Sequence, residues 1–326
     1  MGYLTKYGSA WGQCPELSGN VYWVSPGATY TLEGRTYSSS DGNDGLSPER
    51  ALATIAQATS NATANAGDTI MLLPGIHTVT GALAASKAGL TYRGMTYAKF
   101  PTGGAVGRPG HRPMTVILQA TAATNGIACT AADLTWENIT FRPITQGQAM
   151  TFSTAADRLT ISNCMVDMKT PVGHANTLGI IAAATTSAPD GLYIYKTLFL
   201  EGNGGTSCGV ALDIAAAVNF MVEGNTFLHD GSVGSVATWT TAVQARDNCQ
   251  GAFRDNDVIA GGSTITNGFR GVTHTGAGIV QFIRNYFTVA VTNPITAWAA
   301  SDVGLLNNYV ATVAGGTGGT LISSST

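Results

Sequence analysis

The stretch from Trp136 to Phe141, WENITF, decides the fold, because its pattern returns six more times toward the C-terminus. The pattern is an apolar residue, any residue, two polar or small residues, any residue and a second apolar residue. The copies start 23 to 33 residues apart, at Trp136, Ile161, Ile194, Val222, Phe253, Phe282 and Leu305. Fixed strands joined by loops of variable length are typical of a solenoid.

Asparagine recurs at the third or fourth position of the repeat, at Asn138, Asn163, Asn225, Asn256, Asn285, Asn307 and Asn308. Asn tolerates the left-handed backbone of a sharp corner, and stacked Asn side chains can hydrogen-bond from one coil to the next. The apolar positions on either side of the corner should face inward. We expect this of Trp136, Phe141, Ile161, Val166, Ile194, Phe199, Val222, Phe227, Phe253, Phe282, Phe287 and Leu305.

A second turn signal precedes each copy, at Asp133, Asp157, Asp190, Asn219, Asn248 and Asp302. Another short apolar strand comes before that turn, such as GVALDIA from Gly209. Each coil therefore contains three strands. We predict an all-β chain, a right-handed parallel β-helix solenoid of about nine coils with a short N-terminal capping helix, each coil advancing ~4.8 Å.

The chain divides into four predicted parts. Residues 1–20 form an N-terminal arm, residues 21–66 a first strand and the capping helix, residues 67–313 the β-helix, and residues 314–326 a Gly/Ser-rich tail. The helix is expected from Pro48 to Ser60, with Ser47 as N-cap and Pro48 at the first helical position.

Composition limits the possible functions. Charged residues make up 11% of the 326 residues and the net charge is −3, which argues against nucleic acid as a partner. The sequence has no long apolar run, so we expect no membrane span, and no secretory signal is visible. The five cysteines are odd in number and widely spaced, which indicates buried thiols. The scattered histidines have no metal-ligand spacing, and we expect neither a metal nor another cofactor.

The segment from Gly67 to Gly94, GDTIMLLPGIHTVTGALAASKAGLTYRG, resembles the opening coil of the pectate-lyase-like right-handed parallel β-helix superfamily. His77 stands where that superfamily usually has Tyr. The segment from Asp41 to Ala66 resembles its leader helix, and the segment from Tyr7 to Thr36 resembles the leader of β-helix proteins encoded by tailed bacteriophages. The resemblance implies a β-helix of the phage structural branch and carries no catalytic residues with it.

Enzymes of that superfamily place carboxylates and basic residues on one outer face, and glycosidases need two carboxyl groups close together. In this sequence the carboxylates are not in register. Glu137 and Glu223 share the second position of the repeat but are three coils apart, and Asp167, Glu201 and Asp230 follow it at different offsets. We therefore expect no enzyme. If activity exists, Glu201, Asp213 and Asp230 are the suspects.

Alternation along VALDIA points Leu212 inward and Asp213 outward. Equivalent strands of later coils carry Arg246, His274 and Trp298, so Asp213, Arg246, His274 and Trp298 are candidate glycan-binding residues. The alternative interpretation is an ordinary mixed solvent face.

Three functions remain open. The first is a non-catalytic structural or decoration protein of a phage particle. The second is a receptor-binding tailspike that binds or cleaves host surface polysaccharide, and the third is a secreted polysaccharide lyase. For the first we expect a virion location and a homo-oligomer, most simply a trimer, in contact with other virion proteins. Tyr3, Tyr7 and Trp11 of the arm would attach it to the particle.

Overall fold

A computed structural model describes residues 19–32, 34–95, 115–119, 126–143, 148–167, 181–183, 189–202, 209–230, 239–246, 249–260, 264–272, 279–288, 291–296, 303–311 and 319–322. Three short strands recur in each coil, and each strand pairs in parallel with its equivalents in the coils before and after. The chain is a right-handed parallel β-helix, as the repeat predicts. Between Thr69 and Ala311 the described strands make eight three-strand coils and a ninth coil with two.

Sheet I is formed by the first strand of each coil, which is the strand that opens the sequence repeat. Its described strands are β1 (Val21–Val24), β4 (Thr69–Leu72), β7 (Thr91–Gly94), β10 (Thr135–Glu137), β13 (Thr160–Ser162), β16 (Tyr193–Tyr195), β19 (Phe220–Glu223), β22 (Gly251–Arg254), β25 (Val280–Ile283) and β28 (Val303–Leu306).

Sheet II begins after the Asn-rich corner. Its described strands are β5 (Gly75–Val79), β8 (Thr115–Gln119), β11 (Thr140–Pro143), β14 (Met165–Asp167), β17 (Leu198–Gly202), β20 (Thr226–Asp230), β23 (Asp257–Ala260), β26 (Tyr286–Phe287), β29 (Asn308–Ala311) and β30 (Gly319–Ile322). The last of these, β30, runs antiparallel to β29. Part of the predicted C-terminal tail is therefore a strand that covers the edge of this sheet, and a covered edge cannot recruit another strand.

Sheet III closes each coil. Its described strands are β6 (Leu83–Ala85), β9 (Ile127–Cys129), β12 (Met150–Phe152), β15 (Ile181–Ala183), β18 (Val210–Ala215), β21 (Trp239–Arg246), β24 (Ile265–Val272) and β27 (Val291–Thr296).

The interior is filled by columns of apolar side chains that all three sheets contribute. Eleven of the twelve residues predicted to face inward are buried, and Leu305, the twelfth, is partly buried and packs against the same core. Within the core, Tyr92 and Trp136 stack with ring centroids 4.0 Å apart, and Phe199 and Phe227 stack at 4.6 Å. Burial of large aromatic surfaces on successive coils is the main force that holds the coils together.

The corner between sheets I and II is a single residue in the left-handed conformation. It is occupied in successive coils by Asn138, Asn163, Lys196, Gly224, Asp255, Arg284 and Asn307, with φ between 48° and 63°. The next residue points inward, and from Asn225 onward it is a buried Asn in four consecutive coils. These side chains form the expected ladder, because Asn225 Nδ2 donates to Asn256 Oδ1 at 3.0 Å and Asn256 Nδ2 donates to Asn285 Oδ1 at 2.9 Å.

The N-terminal end is covered by a helix that is shorter than the sequence predicts. Pro48–Arg50 is one 3-10 turn, and the helix α1 spans Ile55–Asn61. Its N-cap is Thr54, whose side chain accepts a hydrogen bond from the amide of Gln57. Ser47 and Pro48 begin the 3-10 turn, as predicted, but Ser47 makes no side-chain cap hydrogen bond and the α-helix starts seven residues later than expected. The physical reason is Asp41, whose carboxylate accepts hydrogen bonds from the amides of Ala53 and Thr54 and holds the chain extended there.

A β-hairpin, β2 (Thr29–Leu32) and β3 (Arg35–Ser38), lies between the first strand and the helix. Among the described cysteines, Cys129, Cys164 and Cys249 are buried free thiols, as their spacing predicts. Burial raises the pKa of both Cys129 and Cys164 to about 12, so neither thiol forms a reactive thiolate near neutral pH.

Candidate functional site

The outer surface of sheet I carries a cluster of aromatic and charged side chains on β16, β19 and β22 and at the corner after β22. We call the surface formed by Tyr193, Tyr195, Glu223, Arg254 and Asp255 the tyrosine–carboxylate face. Strand pairing places Tyr195, Glu223 and Arg254 in one outward column, one coil apart from each other. The core residues Ile194, Val222 and Phe253 lie beside them on the opposite side of the sheet.

The two tyrosines form the aromatic end of the face. Tyr193 and Tyr195 alternate along β16, so both project outward, and their rings stack with centroids 5.6 Å apart and an interplanar angle of 12°. The Tyr193 hydroxyl donates to Oε2 of Glu223 at 3.3 Å. Partial burial, followed by the nearby Glu223 charge, raises the pKa of Tyr193, so its hydroxyl stays protonated and able to donate.

The charged end of the face is organised around Arg254. Its Nη2 donates to Oε1 of Glu223 at 2.5 Å, and its Nε lies 3.3 Å from Oδ2 of Asp255. Asp255 in turn accepts two hydrogen bonds of 2.7 Å from Arg284. A continuous polar network therefore crosses four coils, from Tyr193 through Glu223, Arg254 and Asp255 to Arg284.

The hydrogen bonds from Arg284 hold the pKa of Asp255 below its usual value. Asp255 is therefore a carboxylate at neutral pH and is unsuited to act as a proton donor, since a general acid needs a raised pKa. What this arrangement offers is a fixed set of hydrogen-bond acceptors and donors beside two aromatic rings.

The same outward column carries another ion pair three coils before Glu223. Arg93 on β7 donates to Glu137 on β10, with Nη2 and Oε2 2.6 Å apart. Both side chains are about one-fifth exposed, so this pair is a further polar position along the same surface.

The structure brings together two of the four residues proposed as glycan ligands from the sequence. Nε of Arg246 donates to Oδ1 of Asp213 at 2.9 Å, across the adjacent strands β18 and β21 of sheet III. The side chain of Asp213 is 0% exposed, whereas that of Arg246 is 22% exposed. Asp213 is therefore not a ligand contact, contrary to the sequence prediction. Alternation does place its side chain on the outer side of the strand, but other atoms of the protein cover it. We assign it instead to holding Arg246.

Other predicted site residues lie outside the described residues. His274 and Trp298, proposed as glycan ligands, are among them, and so are Tyr3, Tyr7 and Trp11, proposed for particle attachment.

The suspected catalytic carboxylates do not form a column in sheet II. Asp167 pairs with Leu200, Glu201 with His229, and Gly202 with Asp230. Asp167 is buried and accepts hydrogen bonds of 3.1 and 2.7 Å from Arg142 of the preceding coil. Asp167, Glu201 and Asp230 thus occupy different positions along their strands, as the sequence predicted.

The sequence interpretation missed most of the tyrosine–carboxylate face. It compared carboxylates alone at the second position of the repeat, where Glu137 and Glu223 are three coils apart. The same position holds Tyr195, Glu223 and Arg254 in three successive copies of the repeat. Searching that position for aromatic and basic residues as well as acidic ones would have revealed the face.

Two further findings concern a membrane span and a metal site. Among the described residues no helix is long and apolar enough to cross a membrane. Within those same ranges, no group of three or more His, Cys, Asp or Glu side chains is arranged to hold a metal ion.

No protein-family model matches the chain, and no curated protein matches it. Solved structures do share its fold. One is a pectin methylesterase in complex with a hexasaccharide, with 15% identity, coverage of 90% of this chain and 91% of that chain, and a TM-score of 0.48. Another is the pectin methylesterase PemA from Erwinia chrysanthemi, with 14% identity, 91% coverage of both chains and a TM-score of 0.47. The pectate lyase Pel9A has 12% identity, coverage of 89% and 80%, and a TM-score of 0.42.

This comparison corrects the expectation that the chain is not an enzyme. The solved structures named above are pectin methylesterases and a pectate lyase, so the absence of carboxylate columns was insufficient ground for expecting no enzyme. At these identities the likeness is one of fold alone.

Proposed function

We propose that this protein binds polysaccharide along the outer surface of sheet I, with the tyrosine–carboxylate face as the binding site. The observation that carries the proposal is the stacked pair Tyr193 and Tyr195 beside the network of Glu223, Arg254 and Asp255. This corresponds to the receptor-binding alternative from the sequence, a tailspike-like β-helix that binds or cleaves host surface polysaccharide.

The chemistry of the face suits a sugar chain. Tyrosine combines a large apolar ring with a polar hydroxyl, so it can pack against the apolar side of a sugar ring and still accept or donate a hydrogen bond. Glu223 and Arg254 present acceptors and donors at fixed positions, since each is held by the other. A few well-placed polar groups beside apolar surface are what orient a bound small molecule.

The repeat of the fold suits a polymeric ligand. Successive coils are stacked ~4.8 Å apart, so equivalent outward positions form a straight row along the solenoid. Tyr195, Glu223 and Arg254 occupy such a row, and the Arg93–Glu137 pair lies further along it. A linear glycan running along this row would meet one side chain per coil.

The test is glycan binding by the full chain, first on an array and then by titration calorimetry with the best oligosaccharide. Tyr195→Ala should raise the Kd at least tenfold, because it removes half of the aromatic stack. Tyr309→Ala is the matched control, since Tyr309 is also exposed but lies on β29 of sheet II. Equal losses for the two variants, or no binding by the wild type, would refute the proposal. Reducing-end release measured in the same samples reports whether the bound glycan is cut.

A second candidate function is a structural or decoration protein of a tailed-phage particle. The specific observation in its favour is the resemblance of residues 7–36 to the leaders of phage-encoded β-helix proteins. On this proposal the protein is located in the virion, forms a homo-oligomer such as a trimer, and contacts other virion proteins through Tyr3, Tyr7 and Trp11. Mass spectrometry of purified particles tests the location and light scattering tests the oligomer. Absence from particles would reject the first part, and a monomeric mass the second.

A further inference from the structure

The charges of the tyrosine–carboxylate face affect which class of glycan it can bind. We infer that the face selects uncharged sugar chains over chains that carry carboxylates. This inference rests on the proposed glycan-binding function, and it concerns the same residues.

Two arginines, Arg254 in the face and Arg284 beside it, are already paired with carboxylates of the protein. Arg254 contacts two carboxylates, those of Glu223 and Asp255, and Arg284 makes two hydrogen bonds to Asp255. A uronic acid is recognised by a guanidinium that donates two parallel hydrogen bonds from one edge to the sugar carboxylate. Here the protein's own carboxylates occupy those positions.

The face would also repel a sugar carboxylate. A sugar carboxylate that reached Arg254 would come close to both Glu223 and Asp255, which flank this guanidinium. Like charges at such distances raise the free energy of the complex, and the repulsion is strongest where the site is partly shielded from water. Glu223 is in such a place, with a side chain 18% exposed.

Lys196, at the corner next to the face, is paired with no carboxylate in a described contact. Its Nζ lies 4.6 Å from the centre of the Tyr195 ring, where the ammonium is attracted by the aromatic face. Lys196 is exposed to solvent, so water and salt screen its charge. Glu223 and Asp255 are balanced by Arg254 and Arg284, so this one screened ammonium is the cation left to attract a sugar carboxylate.

A neutral sugar needs no unpaired guanidinium and is not repelled by Glu223 or Asp255. A sugar hydroxyl both donates and accepts, so it can give a hydrogen bond to Glu223 or Asp255 and receive one from Arg254 without breaking the network. The rings of Tyr193 and Tyr195 provide the apolar contact in the same place. Affinity for such a chain should depend only weakly on salt, because no net charge is neutralised on binding.

The experiment compares acidic oligosaccharides with their carboxyl-reduced forms, which have the same linkages and lack the charge. The full-length wild-type protein should bind the reduced form at least tenfold more tightly than the acidic form in low salt. Tighter binding of the acidic form would overturn the inference and leave the proposed function standing. Failure to bind either form, across an array of both kinds, would overturn the proposed function and the inference with it.

A variant pair makes the test specific to the face. Asp255→Asn removes one of the two carboxylates that flank Arg254. The ratio of the Kd for the acidic form to the Kd for the neutral form should therefore fall at least threefold. Asp133→Asn is the matched control, because Asp133 is also a corner carboxylate paired with an arginine, Arg158, but lies at the corner between sheets III and I. An unchanged preference in Asp255→Asn would count against the inference, as would an equal change in Asp133→Asn.

Discussion

Nδ2 of Asn256 donates a 2.9 Å hydrogen bond to Oδ1 of Asn285, and both side chains are fully buried at the corner between sheets I and II. Asn256 Oδ1 also accepts from the amide of Asn225, and Asn256 Nδ2 also donates to the carbonyl of Val222. One amide side chain therefore joins three consecutive coils, and its hydrogen-bonding groups are satisfied without water.

The ladder leads to a prediction on stability. Asn256→Leu keeps a similar volume but leaves the buried amide of Asn225 and the carbonyl of Val222 without these partners. Each buried group that loses its partner costs about 1–3 kcal/mol, so the free energy of unfolding should fall by several kcal/mol in urea titrations. Asn307→Gly is the control, because Asn307 is exposed and left-handed, with φ 51°, and should change stability by less than about 0.5 kcal/mol. Similar urea midpoints for the two variants would mean that the ladder contributes little.

A second prediction concerns pH and His77. His77 lies in the inward column of sheet II beside Ile117, and its Nε2 is 2.8 Å from the carbonyl oxygen of Leu73. Burial lowers the pKa of His77 to about 4, from 6.5 in the unfolded chain. The folded protein thus resists protonation that the unfolded chain accepts, so this stability is complete above pH 6.5 and is lost as the pH falls toward 4. The loss should be on the order of 3 kcal/mol.

His77→Leu isolates this contribution, because leucine suits the apolar column and cannot titrate. Loss of the hydrogen bond to Leu73 lowers its stability equally at every pH. The difference in unfolding free energy between wild type and variant should therefore be constant above pH 7 and shrink between pH 6.5 and 4. A difference that stays constant over the whole range would show that His77 titrates normally.

The third prediction tests the inward column of sheet II. Phe227 is buried, stacks on Phe199 and contacts Phe269 edge-on with centroids 6.4 Å apart. Phe227→Ala should lower the free energy of unfolding by about 3–5 kcal/mol, since it opens a cavity between coils. Its neighbour Leu228 is on the other side of the strand and is partly exposed, so Leu228→Ala should cost less than half as much. Equal costs in thermal or urea unfolding would contradict the assignment of faces.

The buried ion pair on sheet III gives a fourth prediction. Arg246→Met removes the guanidinium that neutralises Asp213, whose side chain is fully buried. Breaking a buried ion pair by removing one of its partners costs about 3–5 kcal/mol. Adding Asp213→Asn to this variant removes the charge and should restore part of the stability in the same unfolding assay. A double variant less stable than Arg246→Met alone would show that Asp213 is held by something other than its charge.

The sequence predicted the fold well because inward positions recur at fixed places around the corner. Trp136 and Phe141, for example, are fixed by the single turn between them, at Asn138. The helix start was wrong because the decisive contact, Asp41 with the amides of Ala53 and Thr54, joins residues about a dozen positions apart. Local capping preference at Ser47 carries no information about such a contact.

The candidate site was less predictable than the core. Whether Tyr195, Glu223 and Arg254 face one another depends on register between coils, and the coils are separated by loops of different length. The burial of Asp213 could not be predicted from the sequence for a similar reason. Alternation correctly places it away from the core column, but the sequence does not tell what lies over that side of the strand.

The left-handed corner has a consequence for how such a protein diversifies. Lys196, Asp255 and Arg284 occupy the same backbone position in different coils, as do Asn138 and Gly224. A cation, an anion, an amide and a bare backbone are thus interchangeable there while the buried neighbours continue the coil unchanged. Different positions of the same six-residue repeat therefore determine the surface chemistry and the packing of the core. A lineage can therefore change what the outer surface recognises, one coil at a time, while the solenoid beneath is inherited intact.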